Sequence, residues 1–191
     1  IHQDDPIYED VMLLRAEVER CRVILGELDD YQSAESLDLQ TPVPLSTLVD
    51  EILAGRLDDN DKKFIVSLDE RSAMPMPLVR RGPELMHALE DILRNAGDFA
   101  ASRVTVTIRC SVNDVMITIA DDGPGFPPGV LARVGAPWNS SRGSEGSHRG
   151  LGIFIASTLI ETLGGSILYG NSRAGGGEVK IQLSRDALEN H

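Results

Sequence analysis

Three short stretches carry groups of the right kind and spacing to hold a charged ligand. DILRN (91–95) places Asp91 and Asn95 four residues apart, on one face of any helix containing them. A carboxylate and an amide oxygen so placed can ligate Mg²⁺, which takes oxygen ligands and completes its shell with water or nucleotide phosphates. They can equally orient a water. ADDGPGF (120–126) follows directly on the strand-like MITIA, with Asp121 two residues before Gly123 and four before Gly125. A carboxylate at a strand end beside a glycine turn can accept a hydrogen bond from a ligand amine. GLGIFIA (150–156) sets Gly150 and Gly152 around Leu151 and then runs into the apolar face of a helix. Gly in a regular element costs roughly 0.5–1 kcal/mol relative to Ala. Backbone N–H groups at a helix start form an anion seat, and Gly lets a phosphate come close. Each stretch alone has a plainer explanation: a solvated helix face, a turn, a tight connection. It is their order along one chain that argues for a metal, an amine-binding carboxylate and a phosphate seat in one site.

The elements that position them follow from periodicity. PELMHALEDILRNAGDF (83–99) is an amphipathic helix with Leu85, Ala88, Leu89, Ile92, Leu93 and Ala96 on one face and Pro83 at its start. Asp91 and Asn95 lie off that apolar face. RVTVTIR (103–109) and DVMITIA (114–120) alternate and predict an antiparallel pair turning at CSVND. Residues 122–149 are rich in Gly, Pro and Ser and predict a long loop, of the kind that is usually functional. IFIASTLIETLG (153–164) predicts a helix stopped by Gly164 and Gly165. SILYGNS (166–172) and EVKIQLS (178–184) predict strands joined by a glycine-rich turn. Upstream, LSTLVDEILA (45–54) predicts a short helix capped by Ser46, KFIVSL (63–68) a strand, and residues 71–82 loop or sheet edge. The predicted class is α/β, a two-layer α/β sandwich with mostly hairpin-paired strands.

Before it comes a different pattern. Ile7, Val11, Leu14, Val18, Cys21, Leu25 and Leu28 alternate steps of four and three, a heptad seam widened by Met12, Leu13, Val23 and Ile24. A lone helix cannot bury such a stripe; packing of residues 6–28 on the chain's own core is the plainer reading, and the linker that follows in place of a short turn back favours a helical bundle formed with a second copy. Residues 1–30 are read as that helix, 31–44 as a polar linker with two prolines, and 45–191 as the main domain. The 191-residue chain has 18 Lys and Arg against 30 Asp and Glu, a net charge of −12, and no basic stripe, which argues against nucleic acid as a partner. No apolar run is long enough to cross a bilayer. Two cysteines, Cys21 and Cys110, without metal spacing, fit a reducing compartment. The chain begins at Ile1, and a longer parent protein is expected.

The ordered motifs resemble the ATP-binding domain of sensor histidine kinases, within the gyrase–Hsp90–histidine kinase–MutL ATPases, over about residues 45–184. DILRNA (91–96) resembles the N box, DDGPG (121–125) the G1 box, PWNSSR (137–142) the F box of a mobile ATP lid, RGLGIFIA (149–156) the G2 box, and AGGGEVKIQL (174–183) the last glycine-rich strand motif. The resemblance implies ATP and Mg²⁺ as cofactors. It implies Asn95 as a metal ligand with Asp91 beside it, Asp121 on the adenine amine, and Gly123 and Gly125 around it. It places Asp98, Ser141, Arg142, Arg149, Gly150, Leu151 and Gly152 about the nucleotide. The helix with Cys21 is similar to the dimerising, phosphotransfer hairpin of RegB/PrrB-type redox-responsive kinases. That likeness implies a homodimer, a response-regulator receiver domain as partner, two-component signalling, and a cytoplasmic portion of an inner-membrane sensor. Cys21, at a core position between Arg20 and Arg22, is either a small buried apolar residue or half of an intermolecular redox disulfide. Cys110 is read as a strand residue without a role.

The chain departs from the family pattern at several points. None of His2, His87, His148 and His191 has the context of a phosphoacceptor, so the acceptor helix is expected upstream and this chain alone is not expected to phosphorylate itself. Asp91 stands where most histidine kinases carry Asn and the related ATPases carry a Glu general base. Asp98 stands where a Lys or Arg is common. With Glu90, these acids predict weaker ATP binding. His148 and Glu178 replace a common Gly and Thr, and His148 or Arg149 is a candidate partner for the γ-phosphate.

Overall fold

The computed structural model describes residues 41–56, 62–131 and 152–190. The chain runs β1 (Val43–Pro44), α1 (Leu45–Arg56), β2 (Lys63–Leu68), β3 (Leu78–Val79), α2 (Pro83–Phe99), β4 (Arg103–Cys110), β5 (Asp114–Asp121), α3 (Pro128–Leu131), α4 (Gly152–Thr162), β6 (Ser166–Asn171), β7 (Gly177–Ser184) and α5 (Arg185–Asn190). These elements belong to a compact unit that begins at Thr41. The predicted helix over 6–28, with Cys21, lies outside the described residues, as does the linker up to residue 40.

Five strands form one sheet in the order β2-β4-β5-β7-β6. The β4–β5, β5–β7 and β6–β7 pairs are antiparallel, and β2 joins β4 in parallel. Alternation decides which way the sheet faces. Val104, Val106 and Ile108 on β4, Val115, Ile117 and Ile119 on β5, and Val179, Ile181 and Leu183 on β7 are all buried. The register sets Ile108 opposite Ile117, Ile117 opposite Ile181 and Ile181 opposite Ile167, so a row of β-branched side chains crosses the sheet. Leu45, Leu48, Val49 and Ile52 of α1, Leu85, Leu89, Ile92 and Leu93 of α2, and Ala156 and Ile160 of α4 join them in one core. Burying each large side chain is worth about 1.5–3 kcal/mol. The result is the predicted two-layer sandwich, with the helices on one face.

The helix ends are set by local chemistry. Pro83 opens α2 after an extended Gly82, and Ala100 closes it with its N–H on Ala96 O. At the end of α4, Gly164 takes φ +72°. The Gly164 N–H donates to Glu161 O and the Gly165 N–H to Ile160 O, both at 2.9 Å. This is the doubly bonded glycine stop expected of GG.

Some expectations need correction. α1 starts at Leu45 directly behind Pro44, which puts Ser46 inside the first turn rather than at the cap. Its N–H donates to Met76 Sδ at 3.0 Å. Val43–Pro44, read as linker, pairs with β3 inside the segment read as loop or sheet edge, so only the linker reading changes. Residues 185–190 form α5, which no sequence pattern announced. Among the described residues, no helix is long and apolar enough to cross a membrane.

Candidate functional site

Asp121 is the last residue of β5, and its Oδ1 accepts the Gly123 N–H at 2.8 Å. Its neighbour Asp122 turns the other way. Asp122 Oδ1 accepts the N–H groups of Ser102 and Arg103 at 2.8 and 2.9 Å, and Oδ2 accepts the Ser102 hydroxyl at 2.6 Å. These donors, the Ser102 hydroxyl foremost, hold the Asp122 carboxyl far below the usual carboxylate range. The two adjacent acids therefore divide the work: Asp122 anchors the strand end, and Asp121 faces the turn.

That turn lies against its surroundings closely enough to exclude side chains. A Cβ at Gly123 would sit 2.1 Å from Phe99 O, at the end of α2. Gly125 takes φ +76°. Behind Asp121 stands the β6–β7 hairpin, where a Cβ at Gly176 would lie 1.9 Å from Asp121 O and one at Gly177 2.6 Å from Asp121 Oδ2. The residues of the last motif that meet Asp121 are thus Gly176 and Gly177. Glu178, singled out from sequence, pairs with Lys180 at 2.5 Å instead.

The α2 helix carries the second group. Asp91 and Asn95 are half-buried and Asp98 is exposed. A Cβ at Gly152 would lie 3.3 Å from Asp91 Cγ, so the Asp91 carboxyl rests against the first residue of α4. Glu90 does not add bare charge here: it is buried and pairs with Arg94, whose other guanidinium nitrogen lies 3.4 Å from Asp91 Oδ1. Arg94 went unnoticed in the sequence, although its spacing of three and four from two acids is a signal for such pairs. Among the described residues, no group of three or more His, Cys, Asp or Glu is placed to hold a metal. Asp91 and Asn95 supply two hard oxygens, a donor set that fits Mg²⁺ drawing its other ligands from water and phosphate.

A third set ties the turn to α4. The Phe126 and Tyr169 rings meet edge to face, with centroids 6.2 Å apart. The Tyr169 hydroxyl lies 2.8 Å from Ser157 Oγ and donates to Ile153 O at 3.3 Å. Burial pushes the Tyr169 phenol up to about 12. Asn171 joins Phe126 by two hydrogen bonds. Neither Tyr169 nor Asn171 stood out in the sequence as more than a strand residue. Cys110, read as having no role, is buried at the end of β4, where burial raises its thiol pKa.

The α2 helix carries Asp91, Asn95 and Asp98 and meets Gly152 and the Asp121–Gly123 turn, while Gly125 lies against Asn171 and Gly176. Gly152 lies at Asp91 and Gly123 at Phe99, about 12 Å apart along the helix at 1.5 Å per residue. Ser141, Arg142, His148, Arg149, Gly150 and Leu151 lie outside the described residues.

Residues 81–187 match the family of histidine kinase-, DNA gyrase B- and HSP90-like ATPases. The chain is 30% identical over 190 residues to the sensor histidine kinase RegB of Cereibacter sphaeroides, an alignment covering 90% of this chain and 39% of RegB. It is 24% identical to the sensor protein QseC of Escherichia coli, over 95% of this chain and 41% of QseC. It thus spans about two fifths of the length of these curated relatives. The mycobacterial sensor histidine kinase MprB superposes with a TM-score of 0.60 at 22% identity, over 75% of this chain and 97% of that one. Full-length ShkA in complex with AMPPNP gives 0.59 at 23% identity, over 75% and 31%. The order of motifs, the helix-backed mixed sheet and the match over residues 81–187 make this chain a member of the histidine kinase-, DNA gyrase B- and HSP90-like ATPase family, with the ATPase domain of a histidine kinase.

Proposed function

We propose that this chain binds Mg-ATP and serves the transfer of phosphate to a histidine in a two-component sensor kinase. The observation that carries the reading is the Asp121 carboxylate, held at a strand end by the Gly123 N–H and backed by Gly176 and Gly177. In this reading Asp121 accepts a hydrogen bond from the adenine amine. Asn95, with Asp91, holds the metal. The start of α4, with Gly150 and Gly152, receives the phosphates. The span along α2 between Gly123 and Gly152 gives the site a base end and a phosphate end. Bound Mg²⁺ offsets triphosphate charge and acts as a Lewis acid. Family membership and the AMPPNP held by ShkA, a protein of the same fold, support this reading.

The same proposal makes residues 6–28 the dimerising helix, Cys21 a redox site, a receiver domain the partner, and the inner face of a membrane the location. Likeness to RegB supports it. Calorimetry of Mg-ATP binding to this chain, beside Asp121→Asn and Asn95→Ala, tests the site. Both substitutions are expected to weaken binding at least tenfold. A folded parent that takes up no Mg-ATP refutes it.

A second reading, nucleotide hydrolysis, is favoured by one observation: the Asp91 carboxyl lies at the start of α4. There it can take the proton from a water that attacks the γ-phosphorus as ADP leaves. Phosphate release that Asp91→Asn abolishes supports this reading; release unchanged in that variant sinks it.

A further inference from the structure

Asn171 ends β6, opposite Gly177 in the register. Its side chain serves neither strand. Oδ1 accepts the Phe126 N–H at 2.7 Å, and Nδ2 donates to the Phe126 carbonyl at 2.9 Å. One side-chain amide thus satisfies both backbone groups of one residue, as a neighbouring strand would. Phe126 directly follows Gly125, the left-handed residue of the turn, and a Cβ there would lie 2.8 Å from Asn171 Oδ1.

The near end of the turn has its own anchor, Asp122 on Ser102 and Arg103. The far end has Asn171. Between the two anchors lies Asp121. The hairpin that carries Asn171 also carries the wall behind Asp121. A Cβ at Gly177 would stand 2.6 Å from Asp121 Oδ2 and 3.0 Å from the Phe126 ring, and the Ser172 N–H closes the hairpin on Gly176 O at 3.0 Å. Asn171 therefore fixes the gap between the Asp121 carboxylate and its wall. Asn171 itself is exposed and lies outside the buried core.

We infer that Asn171 is a positioning residue for base recognition. It holds the turn so that Asp121 meets a purine 6-amino group, and it thereby sets the preference for 6-aminopurine nucleotides. It acts through Phe126 and Gly125, and the inference rests on the reading that Asp121 accepts from the adenine amine. A hydrogen bond to a charged acceptor depends steeply on angle and distance, so a turn loosened by a fraction of an ångström loses selectivity before it loses binding.

The test is a pair of affinities: Mg-ATP against Mg-purine riboside triphosphate, which is ATP without the amine. Calorimetry gives both for the parent, Asp121→Asn, Asn171→Ala, Asn171→Asp and the Asp121→Asn/Asn171→Ala double variant, with a melting curve for each. The parent prefers ATP. Asn171→Ala lowers that preference about fivefold by weakening ATP alone, the loss expected for roughly one hydrogen bond. Asn171→Asp keeps the acceptor for the Phe126 N–H but sets a carboxylate against the Phe126 carbonyl, and it lowers the preference at least as far. In the Asp121→Asn background, Asn171→Ala changes the preference no further. A folded Asn171→Ala that weakens both nucleotides equally, or keeps the parent preference, overturns the inference and leaves the Asp121 reading standing. A parent that does not prefer ATP overturns both.

Discussion

Replacing Gly123 with Ala puts the packing of the turn on α2 to a quantitative test. The new methyl would start 2.1 Å from Phe99 O and 2.9 Å from Asp121 Oδ1. The first obstacle is a backbone carbonyl at a helix end, which cannot swing aside as a side chain can. Overpacking of this kind costs about 1–3 kcal/mol, here near the upper end. If the turn lifts away to relieve it, the Gly123 N–H leaves the Asp121 carboxylate, a charge-assisted bond worth about 1.5 kcal/mol or more. Against this, Ala restricts the unfolded chain and returns about 0.4–1 kcal/mol. The balance is a loss of about 2–4 kcal/mol, or ~5–15 °C in melting temperature for a unit of this size. Gly170→Ala is the control, since a Cβ there meets nothing within 4 Å. Urea unfolding followed by circular dichroism reads both variants. A Gly123→Ala midpoint equal to that of Gly170→Ala refutes the packing argument.

Two further predictions concern pH. Tyr169 is held neutral by burial, with its pKa raised to about 12. Its contribution is whole below the unfolded value near 10 and is lost as pH climbs from there towards 12. Tyr169→Phe, which lacks the Ser157 contact, should be about 1 kcal/mol less stable at pH 8 yet show a flatter decline between pH 10 and 12. Parallel declines in urea titrations would contradict this. At the acid end the Asp122, Asp69 and Glu51 pKa values are all depressed, by Ser102, Arg71 and Arg81 respectively, with Asp69 at about 2. Depressed carboxylates stabilise above their unfolded values near 4 and lose that stabilisation as pH falls. Asp122→Asn should therefore unfold less steeply than the parent between pH 4 and pH 2, as read by acid titration of circular dichroism.

Periodicity revealed the elements whose pattern is strong. The α2 stripe of Leu85, Leu89, Ile92 and Leu93 and the alternation in β4, β5 and β7 all landed on the core as expected. Pairing was less legible, because a strand of period two does not name its partner. The parallel addition of β2 to β4 depends on the whole path through α2. The α5 helix is short and rests on tertiary support, namely burial of Leu188 and the hydrogen bond from the Arg185 guanidinium to Pro75 O at 2.9 Å. Ser46 imitates a cap because Ser precedes an apolar run, but Pro44 sits two residues earlier and the helix starts directly after it, at Leu45. At the site, the acids and glycines were readable by type. Their partners went unread: Arg94 on Glu90 and Asp91, Asn171 on Phe126, and Gly177 rather than Glu178 beside Asp121. The Arg94 pairs lie within one helix turn and their spacing could have shown them, whereas the Asn171 and Gly177 contacts cross between elements that no local window contains.

The parallel edge strand also decides the order in which the sheet can be assembled. The β4–β5 and β6–β7 pairs close through turns at 111–113 and 172–176, so each can zip within microseconds from neighbours in sequence. β2 has no such route: β3 and α2 lie between it and its partner, and loop closure must precede any gain from pairing. The topology predicts that the hairpins nucleate and β2 docks late. Until it does, β4 presents a row of unpaired peptide groups flanked by Val104, Val106 and Ile108. That transient edge is where two half-folded chains would cross-pair, so aggregation during refolding should follow the lifetime of the state lacking β2.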